Sequence, residues 1–254
     1  MPFTLAHIGY TIPIAKKLRN YCSISGLVFG SIAPDYDILF RFTANRFHLF
    51  SYSILCNVFI IMPLAILSTL FFHLVCQSII IQKTPNIKQE FWSRLIHTDI
   101  LDEIVNRPIR LIFSILLSIY VHLLLDSMCH ILDAYTIKML VIGFTKNDSL
   151  AKVAYILAIY FLPLLFSIVG LLYLLYSGNL IQSIKEIYQE KKMFNFWIIV
   201  FVFAVIITVV KVMLIQTEYF FAFDYYIISL TSSFLISLSL CCLYYKLSEK
   251  KKIT

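Results

Sequence analysis

Long apolar runs dominate this chain and restrict it to one class of structure. Five runs, at 50–81, 109–132, 150–176, 194–215 and 225–245, are each long enough to cross a bilayer as a helix, which needs about 20 apolar residues. Hydrophobic residues make up 60% of the sequence and charged residues only 14%, against about 25% charged in soluble domains. Because lipid offers backbone groups no hydrogen-bond partner, such runs form helices. We therefore predict an all-α, polytopic integral membrane protein with about five transmembrane helices.

Polar residues with useful chemistry are concentrated before residue 136, and this divides the chain in two. Residues 1–135 are predicted to form a metal-site region, in which a short helical N-terminal region packs on the first two spans. Residues 136–254 supply the other three spans, whose one deep charge, Lys211, is expected to pair with Glu218 or to reach the membrane surface. The six cysteines have no C-x2-C spacing, so we predict neither a disulfide framework nor a thiolate zinc site.

The charged residues gather between the spans. The net charge of +7 fits loops beside anionic membrane lipid and does not indicate nucleic-acid binding. With the C-terminus inside, the inner segments carry twelve Lys and Arg residues and the outer segments seven, five of them before span one. The positive-inside rule therefore predicts a multi-pass protein of the cell membrane with a cytoplasmic C-terminus. Residues 88–105 are expected to form an amphipathic helix at the membrane surface.

The N-terminal region contains a short helix with a slim face. Gly26 and Gly30 lie four residues apart, which lets a second helix approach closely. Pro34 should end this helix and place Asp35 and Asp37 in the turn that follows. Asp37 serves equally well as the cap of a following helix.

The second span carries a polar stripe formed by His122, Asp126 and His130. Residues spaced by four lie on one face of a helix, about 6 Å apart along its axis. A buried carboxylate between two imidazoles is costly unless a metal ion or mutual hydrogen bonds compensate it. We favour a metal site, because ionisable residues inside membranes generally mark function.

Two successive spans return the chain to the side that it left. His7, Asp35 and His48 are therefore expected to meet the stripe near the far end of the second span, on the outer face of the membrane. His130 is expected at the rim of the site, since it lies about 12 Å along the helix from His122.

The other histidines are expected to have ordinary roles. His73 has no nearby partner in sequence, which favours a hydrogen-bonded structural histidine. His97 falls in the predicted surface helix and is expected to be solvated.

Several motifs together resemble a known family. They are the opening MPFTLAH, the pattern S-x-L-V-x-G-S-x-A-P-D at 25–35, His48 before span one and the H-x3-D of span two. They resemble an uncharacterised family of bacterial multi-pass membrane proteins, which is similar to predicted membrane-bound metal-dependent hydrolases. The order of the ligands is more distantly similar to zinc-dependent phospholipase C and related zinc nucleases. The resemblance covers roughly residues 1–135.

The resemblance implies a ligand set of five residues. One ion would be held by Asp35, His48, His122 and Asp126, and a second by His7, with Asp126 bridging the two. Imidazoles and carboxylates suit zinc, so the implied cofactor is one or two divalent metal ions, with zinc favoured. The soluble enzymes have a third site with ligands further along the chain, and here no histidine follows His130. They also use a free N-terminal amine, which Met1–Pro2 does not obviously supply.

The function that follows is a membrane-embedded metal-dependent hydrolase of a phosphoester, with a lipid headgroup at the bilayer surface as the candidate substrate. Arg41 and Arg46 beside His48 would clamp a phosphate or, equally well, anchor the chain at the interface. The alternative is a non-catalytic protein, either a metal-stabilised membrane scaffold or an ion or solute transporter.

Overall fold

The structure is a computed structural model, which describes residues 6–18, 20–36, 54–83, 95, 98–131, 165, 168–170, 172, 191–214 and 223–250. All regular structure within these residues is helical. The helices of seven or more residues are α1 (Ala6–Lys17), α2 (Ile24–Ile32), α3 (Ile54–Lys83), α4 (Ile100–Asn106), α5 (Pro108–Ile131), α6 (Lys191–Leu214) and α7 (Phe223–Lys250). The four helices α3, α5, α6 and α7 are long and apolar enough to cross a membrane, which confirms the predicted polytopic all-α class. The predicted span at 150–176 lies almost wholly outside the described residues.

The boundaries of the spans follow local rules. Pro108 is the first residue of α5, where the missing N–H of proline costs nothing. In α3 a wide helical turn, Asn57–Ile61, directly precedes Met62 and Pro63. The proline ring clashes with the carbonyl four residues before it, and a wider turn relieves that clash.

The prediction of one continuous surface helix over 88–105 is wrong in its C-terminal half. Thr98 and Asp99 are not helical, and a separate helix, α4, begins at Ile100. The Asp99 side chain accepts hydrogen bonds from the backbone N–H groups of Leu101 and Asp102 at 3.0 and 3.3 Å. An aspartate in this position satisfies N–H groups that a helix start leaves unpaired, so it begins a helix rather than continuing one.

Helix α2 lies alongside α5 and runs parallel to it. Three hydrogen bonds join the helices, each between residues 91 apart: Ser23 with Ser114, Leu27 with Ser118, and Ser31 with His122. We call this set the α2–α5 ladder. Its α5 members recur every four residues, and a helical turn is 3.6 residues, so one face of α5 contacts α2 over slightly more than two turns. Because Pro108–Ser127 is a candidate membrane span, the ladder holds α2 beside the middle of that span.

The predicted slim face of α2 is confirmed. A Cβ atom added to Gly26 would lie 2.9 Å from the carbonyl oxygen of Leu111, and one added to Gly30 would lie 2.6 Å from that of Ile115. Side chains are not tolerated at such distances, so glycine permits the close approach on which the ladder depends. Pro34 ends the helix as predicted, because α2 stops at Ile32 and a 3₁₀ turn, Ala33–Asp35, follows.

Helices α1 and α2 form a hairpin, which we call the N-terminal hairpin. His7 at the start of α1 lies beside Asp35 just after α2, whereas at the other end the N–H of Cys22 donates to the carbonyl of Leu18 at 2.9 Å. The hairpin packs on α3 and α5, which confirms the predicted packing of the N-terminal region on the first two spans.

The turn of the N-terminal hairpin lies at the end of the bundle where α5 begins. The Arg110 guanidinium donates to the carbonyl of Cys22 at 2.7 Å, and Ser23 Oγ donates to buried Glu103 at 2.8 Å. Lys16 and Lys17 in the last turn of α1 therefore belong to this end. The prediction that all residues before span one lie on one side is wrong, since it counted these lysines on the opposite side.

The other spans have basic and aromatic residues at the same end. Trp197 Nε1 donates to the Lys83 carbonyl at 3.0 Å, Lys83 Nζ lies 5.4 Å from the ring centroid of Tyr245, and the Lys246 ammonium donates to the carbonyl of Leu74. We call this end, which contains Lys17, Lys83, Arg110 and Lys246, the basic end of the bundle. Tryptophan and tyrosine at this level are typical of a membrane–water interface.

Candidate metal centre

Three side chains predicted to bind metal lie together on three different elements. They are His7 from α1, Asp35 from the turn after α2 and His122 from α5, and each offers a ligand atom within 4.8 Å of the others. The N-terminal hairpin and the α2–α5 ladder together bring about this convergence. That these residues bind a metal stays a prediction.

The two ring nitrogens of His122 face different groups. Its Nδ1 lies 2.6 Å from the carbonyl oxygen of Ser31, so Nδ1 carries a proton and donates it. Its Nε2 lies 3.4 Å from Asp35 Oδ1. A histidine that donates one ring N–H to a backbone carbonyl is oriented as metal-ligating histidines are, with its other nitrogen directed at the site.

His7 is the least satisfied polar side chain of the group. Its ring stacks on that of His122 with centroids 3.9 Å apart and an interplanar angle of 27°. It is 2% exposed, and neither of its ring nitrogens has a hydrogen-bond partner among the described residues. Asp35 Oδ2 is likewise buried without a partner in that part of the chain. An unpaired buried polar atom costs about 1–3 kcal/mol, so this arrangement calls for a ligand.

The charge states within the group suit a cation. Burial, and after it the neighbouring His122 ring, lower the pKa of His7, which is therefore neutral at pH 7 with a free lone pair. Burial alone would raise the pKa of Asp35, but the adjacent His122 and His7 rings outweigh it and lower the pKa, so the carboxyl is ionised. Two imidazoles and one carboxylate form a ligand set found in catalytic zinc sites, where water takes the fourth position. The residues present therefore fit a zinc ion.

Asp126 lies one turn beyond His122 on α5 and is half-buried. It is not among the three residues whose ligand atoms lie within 4.8 Å of one another. Its charge nevertheless acts on both the His7 and the His122 rings. Its predicted bridging role stays a prediction. His130 is the second-last residue of α5, and its expected location at the rim of the site stays a prediction.

The remaining predicted residues divide into two groups. His73 lies outside the group, where its Nε2 is 2.8 Å from Ser25 Oγ, and its expected structural role is confirmed. The others lie outside the described residues: His48, Asp37, Arg41, Arg46 and His97.

The polar face on α5 extends further toward the start of the helix than the predicted stripe of His122, Asp126 and His130. Arg110, Ser114 and Ser118 precede His122 at the same four-residue spacing, and all of them bond to the backbone of residues 22–31. The spacing was visible in the sequence, but hydroxyls in an apolar helix usually bond within their own helix and give no signal of a partner.

The fold and the site together define a multi-pass α-helical membrane protein with a buried histidine–aspartate group to which one candidate span contributes His122. The chain belongs to the family described as Domain of unknown function (DUF4184), whose model matches residues 1–243. The match supports the resemblance to an uncharacterised membrane-protein family and extends it over both halves of the chain. No curated protein matches the chain. No solved structure matches it either.

Proposed function

We propose that this protein is a membrane-embedded metal-dependent hydrolase whose substrate is a phosphoester, with a lipid phosphoester favoured. The observation that carries the proposal is the group His7, Asp35 and His122, in which both nitrogens of a buried neutral imidazole have no partner among the described residues. A divalent ion bound there would supply Lewis acidity toward a phosphoryl oxygen and a lowered pKa for a bound water.

The residues of the chain have distinct roles in this proposal. His7 and His122 would supply neutral nitrogen ligands, and Asp35 would supply the negative charge that offsets part of the charge of the ion. The carbonyl of Ser31 would keep His122 in the tautomer that leaves Nε2 available. Half-buried Asp126, one turn further along α5, is suitably located to hold a second ion or to accept a proton from water.

A metal-stabilised scaffold is the second candidate, and the burial of the group favours it. His7, Asp35 and His122 are 2%, 8% and 3% exposed. Structural zinc sites are closed by protein ligands, whereas catalytic sites keep a position open to water and substrate. Both candidate functions require a bound metal ion, but only the hydrolase would turn over a substrate.

We also propose that the basic end of the bundle faces the cytoplasm. The C-terminus of α7 and the last turn of α1 are both at this end, together with Lys83 and Arg110. With Lys16 and Lys17 assigned there, the excess of basic residues on the C-terminal side is larger than the sequence count suggested. The candidate metal centre would then open toward the outer face.

The test has two stages. Metal content of the detergent-purified protein is measured by elemental analysis for the wild type, His122→Ala and His73→Ala. His73 is the matched control, because it is another buried histidine of a span that lies outside the group. Release of water-soluble phosphate, either as the free ion or as a phosphorylated headgroup, is then measured from mixed phospholipid vesicles. Metal that depends on His122 together with turnover supports a hydrolase; such metal without turnover supports a scaffold, and its absence rejects both.

A further inference from the structure

The space between the candidate metal centre and the basic end is filled by packed side chains. Along α5, the 12 residues from Arg110 to His122 correspond to about 18 Å. Over that length the hairpin and α5 meet through side chains that have no exposed surface, including Ile12 and Leu27 of the hairpin and Ile115 of α5. They belong to one continuous apolar core.

The polar groups along this length are occupied. Ser114 Oγ accepts from the N–H of Ser23 at 2.7 Å and donates to the carbonyl of Arg110 at 2.7 Å. Ser118 Oγ donates to the carbonyl of Leu27 at 2.5 Å. A hydrated cation needs several free oxygen or nitrogen ligands along its route. Here the hydroxyl groups are already hydrogen-bonded to the protein backbone.

The other direction along α5 differs in both burial and charge. From His122 to the end of α5 at Ile131 is about 14 Å. On the face that carries the group, His122 is 3% exposed, whereas Asp126, one turn further along, is half-buried. Asp126 places a carboxylate between the buried group and this end, where it interacts electrostatically with His122.

We infer that the candidate metal centre takes up its divalent ion only from the end of the bundle opposite the basic end, past Asp126, and that the N-terminal hairpin seals it from the basic end. The inference rests on the proposed metal site and adds to it the side from which the ion comes. The hairpin is then a plug that enters from the basic end and stops at the metal centre. Water-soluble ligands on the basic side would have no route to the site.

The test uses the full chain with a protease-cleavable tag after residue 254. The C-terminal helix ends at the basic end, so accessibility of the tag reports orientation. The protein is stripped with chelator, reconstituted into sealed liposomes and exposed to radioactive Zn²⁺ outside. Protease added outside gives the fraction of molecules with the basic end outward. His122→Ala, reconstituted in the same way, corrects for non-specific binding.

We expect external Zn²⁺ to load only the molecules whose tag is protected, and a zinc ionophore to load the rest. Loading of the molecules whose tag is cleaved, or of both orientations without ionophore, would overturn the inference while leaving the metal site intact. A chelator-stripped protein that takes up no Zn²⁺ even in detergent would instead reject the proposed function. The detergent measurement therefore distinguishes the two failures.

Discussion

The imidazole ring of His7 stacks on that of His122 at a centroid separation of 3.9 Å, although the two residues come from the first helix and from a membrane span. Both rings are buried, and only the His122 ring has hydrogen-bond partners among the described residues. The His7 ring loses its hydration in this arrangement without a compensating hydrogen bond among the described residues. The pair is therefore the most direct target for mutation.

Replacing either ring should remove the metal. We expect His7→Ala and His122→Ala each to weaken Zn²⁺ binding by more than the roughly 10–100-fold that loss of an outer-shell partner causes. Titration of stripped protein with Zn²⁺ in detergent measures this. His73→Ala should bind as the wild type does, because His73 bonds to Ser25 outside the group. Equal loss in all three variants would show a general folding defect rather than a site.

The close approach of α2 to α5 should be needed for metal affinity. Gly30→Ala places a methyl group 2.6 Å from the Ile115 carbonyl oxygen, so α2 must move away and carry the Ser31 carbonyl from His122. Since that carbonyl orients the ring, we expect Zn²⁺ affinity to fall by about tenfold or more. Leu67→Ala, at a 60% exposed position of α3, is the control and should bind as the wild type. Unchanged affinity in Gly30→Ala would show that the ring does not depend on the ladder.

The base of the N-terminal hairpin should contribute to stability. Ser23 caps α2 by accepting from the N–H of Gly26 at 3.1 Å, and its hydroxyl donates to buried Glu103. Removing a serine cap costs about 1 kcal/mol, and leaving the carboxylate of Glu103 less satisfied adds to that. We expect Ser23→Ala to lower the thermal midpoint in detergent. Ser239→Ala removes a hydroxyl that donates to the Leu235 carbonyl of its own helix, and it should have a smaller effect.

The metal-free protein should lose stability in acid. Burial lowers the pKa of His7 below its ordinary 6.5, so the folded state keeps this ring neutral while the unfolded chain takes up a proton. The contribution is therefore fully present above pH 6.5 and is lost as the pH falls below it, by at most about 1.4 kcal/mol per pH unit. Asp35, His122 and Asp126 also act on this ring, but the folded state favours the ionised Asp35, whose contribution is lost only below its ordinary pKa of 3.8.

The measurement is the thermal midpoint of the metal-free protein between about pH 7.5 and about pH 5. This range lies on both sides of the ordinary histidine pKa of about 6.5. His7→Gln has no titrating group at this position and should show a flatter profile over the range. A wild-type profile no steeper than that of His7→Gln would contradict the assignment of a neutral His7.

Local rules predicted much of the fold. The spans follow from apolar length, and the close contact at Gly26 and Gly30 and the stop at Pro34 follow from residue type alone. The register between α2 and α5 depends on hydrogen bonds between residues 91 apart, which no local pattern specifies. The prediction for the N-terminal region was therefore right about its neighbours and wrong about the location of Lys16 and Lys17.

The candidate site was predicted from two different sources. The spacing on the second span indicated His122 and Asp126, whereas His7 and Asp35 came from the resemblance and from the parity of the spans. Neither source indicated the ring stacking or the Ser31 carbonyl, because both depend on tertiary packing. Lys211, for which the sequence offered Glu218 or the membrane surface, is buried and donates to Ser232 Oγ at 2.5 Å, a partner that the sequence did not indicate. The hydroxyl that accepts from it belongs to the next helix, and Glu218 lies outside the described residues.

The constant separation of 91 residues in the α2–α5 ladder also determines the order in which this protein can mature at the ribosome. The N-terminal hairpin is synthesised first, and every α5 group that bonds to it across the ladder is synthesised after the first span. Until α5 is inserted, the backbone groups at Ser23, Leu27 and Ser31 have no α5 partner. The hairpin therefore cannot pack in its final position before that step. Maturation of the site is thus the last event of assembly for the earliest part of the chain, and a nascent chain arrested before residue 122 would carry His7 and Asp35 without the ring that brings them together.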